Sequence, residues 1–204
     1  MHSKKMFFAI VVVVIALFLT SCINLESVQK VNYSLRVEEE EGTKEGHLIV
    51  QFTQVDEENY QAQVDFALGE ESFSSTFTVK KDDIQGSLFP LMLSNPSIAQ
   101  VLGVLSTAQV VLAPAFMSGG ELNVGFQWKQ KDEKGEIEIT VPASEARFGK
   151  EALWVEAKKD GKLIARALFE KETYFPLVVD FQDPEQLESG QKRFYIEAQE
   201  VIWK

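Results

Sequence analysis

Histidine and cysteine are almost absent from this chain. Its 204 residues include two histidines, His2 and His47, and one cysteine, Cys22. A structural zinc site takes about four Cys or His ligands, and Ser-His-Asp or Cys-His catalysis needs a histidine beside its nucleophile. One histidine in the body of the chain makes either a poor expectation, and one cysteine cannot form an internal disulfide. His47, in "EGHLIV" beside a turn, reads as a solvated strand end. Basic residues are scarce as well, with 20 Lys and Arg against 31 Asp and Glu, a net charge of −11. No basic stripe is present to release counterions from a phosphate backbone, so nucleic acid is not an expected partner. Phosphate loops, GxSxG elbows and dinucleotide fingerprints are missing too. Acidic runs at Glu38 to Glu41, Asp56 to Glu58 and Asp132 to Glu133 lack EF-hand spacing and read as solvated turns. A pair of carboxylates that meets only in the fold stays open. The expectation is a non-enzyme with no cofactor and no metal.

Charge of either sign is lacking from Ile84 through Gly120, although Asp82, Asp83 and Glu121 flank that run. A second uncharged run, Met6 to Leu19, follows Lys4 and Lys5 and leads into Leu19-Thr20-Ser21-Cys22. That is the pattern of a secretion signal ending in a bacterial lipobox, with cleavage before a cysteine that receives lipid. Residues 1–21 are therefore expected to be removed and Cys22 to carry the membrane anchor, two acyl chains holding what one cannot. Loss of Lys4 and Lys5, with all 31 acidic residues kept, takes the net charge from −11 to −13. Anionic headgroups repel such a chain, so the anchor and not charge holds it at the membrane. Residues 22–30 form a lipidated tether, in which Ile23 to Lys30 reach at most about 28 Å. Residues 31–204 form one β-rich domain with an apolar helical insert at 84–120. The expected location is the periplasmic or extracellular face of a bacterial membrane.

The domain reads as sheet, helical block, sheet. Val31, Tyr33, Leu35 and Val37 alternate with polar residues, as do Leu48 to Phe52, Tyr60 to Leu68 and Phe73 to Val79. Turns at "EEEEGTKEG" and "DEEN" separate them, the mark of an antiparallel meander with one wet face. After the block, Leu122, Val124, Phe126 and Trp128 predict a strand, and Ile137, Ile139 and Val141 another. Strands over 152–157 and 163–169 flank Asp160-Gly161, a two-residue hairpin signal. Tyr174 to Phe181 and Phe194 to Trp203 complete about ten. Leu153-Trp154-Val155, Leu163-Ile164 and Leu177-Val178-Val179 are apolar at adjacent positions, so both faces should be covered, with the uncharged block as the expected cover. Pro176 predicts an edge or a bulge.

Within the block, Asn95-Pro96 predicts a helix start. Ile98, Val101, Leu102, Leu105, Ala108 and Leu112 recur at helical spacing, and Pro114 ends the helix near Leu112. About 17 residues, roughly 25 Å, fall short of a membrane span of about 20. A buried helix is expected, either filling a core or roofing a cavity.

"EGHLIVQF" and "YQAQVDF" in the first meander, with the apolar insertion after Val79, resemble the LolA/LolB-type superfamily, which includes mycobacterial lipoproteins of the LppX and LprG kind. That resemblance implies an α+β, mostly β fold: a strongly curved antiparallel half-barrel with a helical insertion covering one face. It also implies a cavity for acyl chains. Phe66, Phe77, Phe126 and Trp128, on alternating faces, and Phe89, Leu91, Leu102, Leu105 and Phe116, from the insertion, are the candidate lining for a lipid or other hydrophobic ligand. The competing expectation is an envelope interaction lipoprotein with a solid core, holding a protein partner through its polar sheet face or acidic loops.

Overall fold

The computed structural model describes residues 27–81, 87, 95–110, 122–132, 135–182, 187 and 190–204, without the side chains of 106–110 and 132. Cys22, Phe89, Leu91 and Phe116 lie outside the described residues, as does the signal segment 1–21.

The alternating segments form one antiparallel ten-stranded sheet. The first meander is β1 (Val28–Glu39), β2 (Thr43–Gln54), β3 (Asn59–Leu68) and β4 (Glu71–Lys80). The helix α1 (Pro96–Val110) follows. The second meander is β5 (Gln127–Asp132), β6 (Gly135–Arg147), β7 (Lys150–Lys159), β8 (Lys162–Glu170), β9 (Pro176–Phe181) and β10 (Gln191–Trp203). Their order in space is β4-β3-β2-β1-β10-β9-β8-β7-β6-β5, so among the described strands β4 and β5 are the edges and the half-barrel does not close. The first and last strands join the two meanders at the centre, with Tyr33 opposite Ala198, Leu35 opposite Ile196 and Val37 opposite Phe194.

Period-two alternation puts one set of these side chains on a common inner face. One row runs Phe73, Phe66, Leu48, Tyr33, Ala198 across five strands. Another runs Phe194, Phe181, Ala165, Ala157, Ile139, Trp128 across six. Tyr33 is buried there and donates its hydroxyl to the Pro176 carbonyl at 2.7 Å. Its ring stacks on Phe175 at 6.4 Å, and Phe175 meets Trp203 edge-on at 5.7 Å. Burial pushes the Tyr33 phenol well above its ordinary pKa.

The helix begins as its sequence predicts. Asn95 Oδ1 accepts the Ile98 N–H at 3.0 Å, satisfying one of the orphan donors of a first turn. Residues 111 and 112, where its end was expected, lie outside the described residues. Ile98, Val101, Val104 and Leu105 are buried in the same core as the inner face of the sheet, and the helix packs on β9 and β8. Ser97 Oγ also donates to Glu71 Oε2 at the start of β4. Glu71 shares the face of Phe73 and Phe77, so the helix lies on the inner side. Burial of each large apolar side chain contributes about 1.5–3 kcal/mol.

Two expectations need correction. The strand predicted over 122–128 is a turn at Val124-Gly125 followed by β5 from Gln127. Gly125 has φ 94°, and its N–H donates to Val141 at 2.9 Å. The strand predicted at 137–141 continues to Arg147, past a bulge between Thr140 and Ala143 that accommodates Pro142. Of the uncharged block, the described helix covers the inner face of β8 and β9, which leaves the outer face of the late strands as the second one. The row Trp154, Leu168, Val178, Glu197 forms that second face. Arg147 at the tip of the β6–β7 hairpin bonds Glu197. β6 and β10 lie four strand spacings apart, about 19 Å in a flat sheet, so the hairpin curls back over β8 and β9. Pro176 does mark a bulge, between the Leu168 and Phe169 pairs.

Candidate functional site

The inner face carries apolar side chains at nearly every described position, and none in the two rows above is charged. Its exposure is uneven. In the middle, Phe66, Leu48, Val179 and Phe194 are buried. Towards the two free edges the cover thins. Phe73 and Phe77 on β4 are half-buried, and so are Phe126 and Trp128 at the start of β5. Pairing of Ala62 with Phe77 and of Ile139 with Trp128 fixes these aromatics on the inner side of the two lips.

The candidate residues therefore separate. Phe66 belongs to the sealed core at 1% exposure, and Leu105 to the helix face that packs on β8 and β9 at 3%. Leu102 is half-buried on the flank of the helix. Phe77, Phe126 and Trp128 stand at the lips. Phe73, which alternation also placed inward, is a fourth lip residue missing from the candidate lining; its period-two relation to Phe77 is the signal that identifies it.

Polar chemistry is confined to the outer face and the rims. Arg193 grips Asp180 in a bidentate pair, Nε to Oδ1 at 2.7 Å and Nη2 to Oδ2 at 2.8 Å. Those bonds from Asp180 raise the guanidinium further above its ordinary pKa, with Glu38 adding to the effect. Tyr195 donates to Glu197 at 3.1 Å, and burial together with that carboxylate pushes its phenol up. Asp56 accepts the N–H groups of Glu58 and Asn59, both at 2.8 Å, and the Asn59 side-chain amide at 3.0 Å. The Asn59 bond leads the effects that lower its carboxyl pKa, so this acidic run caps its own turn.

Ser34, His47 and Asp65 lie across three neighbouring strands on the outer face. His47 Nε2 meets Asp65 Oδ1 at 2.9 Å. The Ser34 hydroxyl donates to the Glu197 carbonyl at 3.3 Å and accepts from Gln199 Nε2 at 3.0 Å. It is not engaged by His47, so the three do not make a nucleophile–base pair. Among the described residues no group of three His, Cys, Asp or Glu side chains is placed to hold a metal ion. No helix of the described residues is long and apolar enough to cross a membrane.

No family model and no curated protein matches the chain. Among solved structures it is similar to a LolA superfamily protein from Nitrosomonas europaea, at 9% identity over 90% of this chain and 89% of that one, with a TM-score of 0.23. An outer membrane lipoprotein-sorting protein domain from Vibrio parahaemolyticus aligns at 8% identity over 93% of this chain and 91% of that one, TM-score 0.24. A DUF1329 family protein from Desulfovibrio piger aligns at 9% identity over 93% of this chain and 90% of that one, TM-score 0.21.

Proposed function

We propose that the chain is a lipid-anchored, non-enzymatic envelope protein that holds an acyl chain or another hydrophobic ligand against the inner face of its half-barrel. The observation that carries this reading is the largely apolar inner face ending in half-buried aromatics, Phe73 and Phe77 at one lip and Phe126 and Trp128 at the other. Two lips of aromatic surface, rimmed by charge, suit a ligand that enters between them. In this reading Cys22 is the anchor, and residues 31–204 act as one domain. Leu102 flanks the site, and Phe89, Leu91 and Phe116 add to its lining from the insert. Phe66 and Leu105 support the wall rather than touch the ligand.

Native mass spectrometry of the full chain extracted from membranes tests this. A bound species of lipid mass is expected, and Phe77→Glu should lose most of it while the chain stays folded. Ligand-free protein from several extraction conditions sinks the proposal. A second reading, an interaction lipoprotein with a solid core, draws support from the close packing of Ile98, Val101 and Leu105 on the sheet. Recovery of one stoichiometric envelope protein without lipid would favour it.

A further inference from the structure

The two free edges of the sheet are guarded differently. On β5, Lys129 and Lys131 stand along the strand, the usual protection against edge-to-edge pairing. On β4, nothing from Ser72 to Val79 is charged, and no proline interrupts "SFSSTFTV". The backbone phase of β4 is fixed by Lys81, whose N–H donates to the Glu58 carbonyl at 2.9 Å. Odd-numbered residues therefore direct their N–H and C=O groups to β3, and even-numbered ones point away. The Lys80 N–H, on the outward side, is taken by Ser87 Oγ at 3.3 Å. That leaves Ser72, Ser74, Thr76 and Thr78 with outward backbone groups that no described strand pairs.

We propose that this edge pairs with the β4 edge of a second copy, antiparallel, about a two-fold axis at Ser75. This register sets Ser72 opposite the other copy's Thr78, and Ser74 opposite its Thr76. All four outward residues of each copy are then hydrogen-bonded, and no others are needed. On the inner side Phe73 meets Phe77 twice, joining two half-exposed rings across the seam. On the outer side, Ser and Thr face each other, a favourable cross-strand combination. The ends agree as well. Glu71 lies diagonal to the other copy's Lys81, about 7–8 Å away and within reach of a long side chain. Symmetry repeats that acid–base contact at the far end. A shift of one residue would oppose Phe73 to the outward Thr78 and lose the match of faces. A second copy of this chain is thus the occupant whose chemistry fits, and the contact is isologous.

A cysteine scan of the full chain in its own membranes tests the register. Ser75 opposes itself in a non-hydrogen-bonded pair with Cα atoms about 4.5 Å apart, inside the range of about 4.4–6.8 Å that a disulfide spans. Under mild oxidation Ser75→Cys should give a band of twice the monomer mass that reductant removes. Thr78→Cys, about 20 Å from its own counterpart, should not. The parent chain, whose one cysteine is Cys22, should not either. Adding Thr76→Pro to Ser75→Cys removes an N–H that β3 does not use, so a folded monomer is retained and the band should vanish. The proposal is overturned if Ser75→Cys, accessible to a maleimide, fails to crosslink. It is overturned equally if Thr78→Cys or the parent chain crosslinks as well, or if the band survives Thr76→Pro.

Discussion

Glu170 is the one charged side chain withdrawn from solvent among the described residues, at 1% exposure. Burial alone would push its carboxyl up. The Thr173 hydroxyl, the N–H groups of Glu172 (3.0 Å) and Thr173 (2.7 Å), and Lys150 at 3.9 Å outweigh burial and hold it below its ordinary value. A carboxyl depressed by folding stabilises the fold above its unfolded pKa, and that stability is lost as pH falls through the folded value. Glu170→Gln should therefore cost about 1–3 kcal/mol at neutral pH. The gap should narrow as the pH falls below the ordinary carboxylate range and through the lowered value in the fold. Urea midpoints of both forms across that range check it. None of this was legible in "LFEKETYF", because the turn that Glu170 caps is recognisable only once β8 and β9 are paired. Gly46 is similar. The sequence placed it in a turn, but it sits inside β2 opposite Leu68, where an added Cβ would lie 1.9 Å from the Ala67 carbonyl oxygen.

At the scale of elements, local chemistry was read well where it was strong. Asn95-Pro96 starts the helix as expected. Asn95→Ala should cost about 1 kcal/mol and speed hydrogen exchange of the Ile98 and Ala99 amides roughly fivefold, with amides of β1 and β10 unaffected. Asp160 and Gly161 both adopt positive φ, 50° and 77°, as a two-residue hairpin requires. The failures came where pattern and chemistry parted. Leu122 to Trp128 alternate, yet Val124 is 54% exposed, because Gly125 turns the chain before the strand begins. The β6–β7 turn carries Phe148 at φ 51°, a residue that gives no turn signal. Tertiary contacts hold it: Trp203 Nε1 donates to its carbonyl at 3.0 Å, and the Arg147 guanidinium sits 5.6 Å from its ring.

For the molecule as a whole, the sequence showed two meanders and an insert but not how the meanders meet. The β1–β10 seam pairs residues more than 150 positions apart, such as Tyr33 and Ala198. No local pattern encodes such a pairing. The candidate lining was half legible for a related reason: alternation marks a face, while exposure along that face depends on which strands become edges. Attachment to a membrane belongs to this scale too. Cys22→Ser should move the full chain from the membrane to the soluble fraction, as fractionation and immunoblotting would show. Retention on the membrane without the cysteine would count against the anchor.

If the chain is exported as proposed, the central seam also constrains the order of events. A chain threaded N-terminus first delivers β1 at the outset and β10 more than 150 residues later. Until residues 191–203 arrive, β1 has β2 on one side and nothing on the other, and the first meander waits as a four-stranded sheet with its apolar face uncovered. On that proposed route the last strand to arrive is the one that completes the middle of the sheet. Completion of the fold would then be tied to completion of transport, and the waiting half is the species that a folding helper would have to shield.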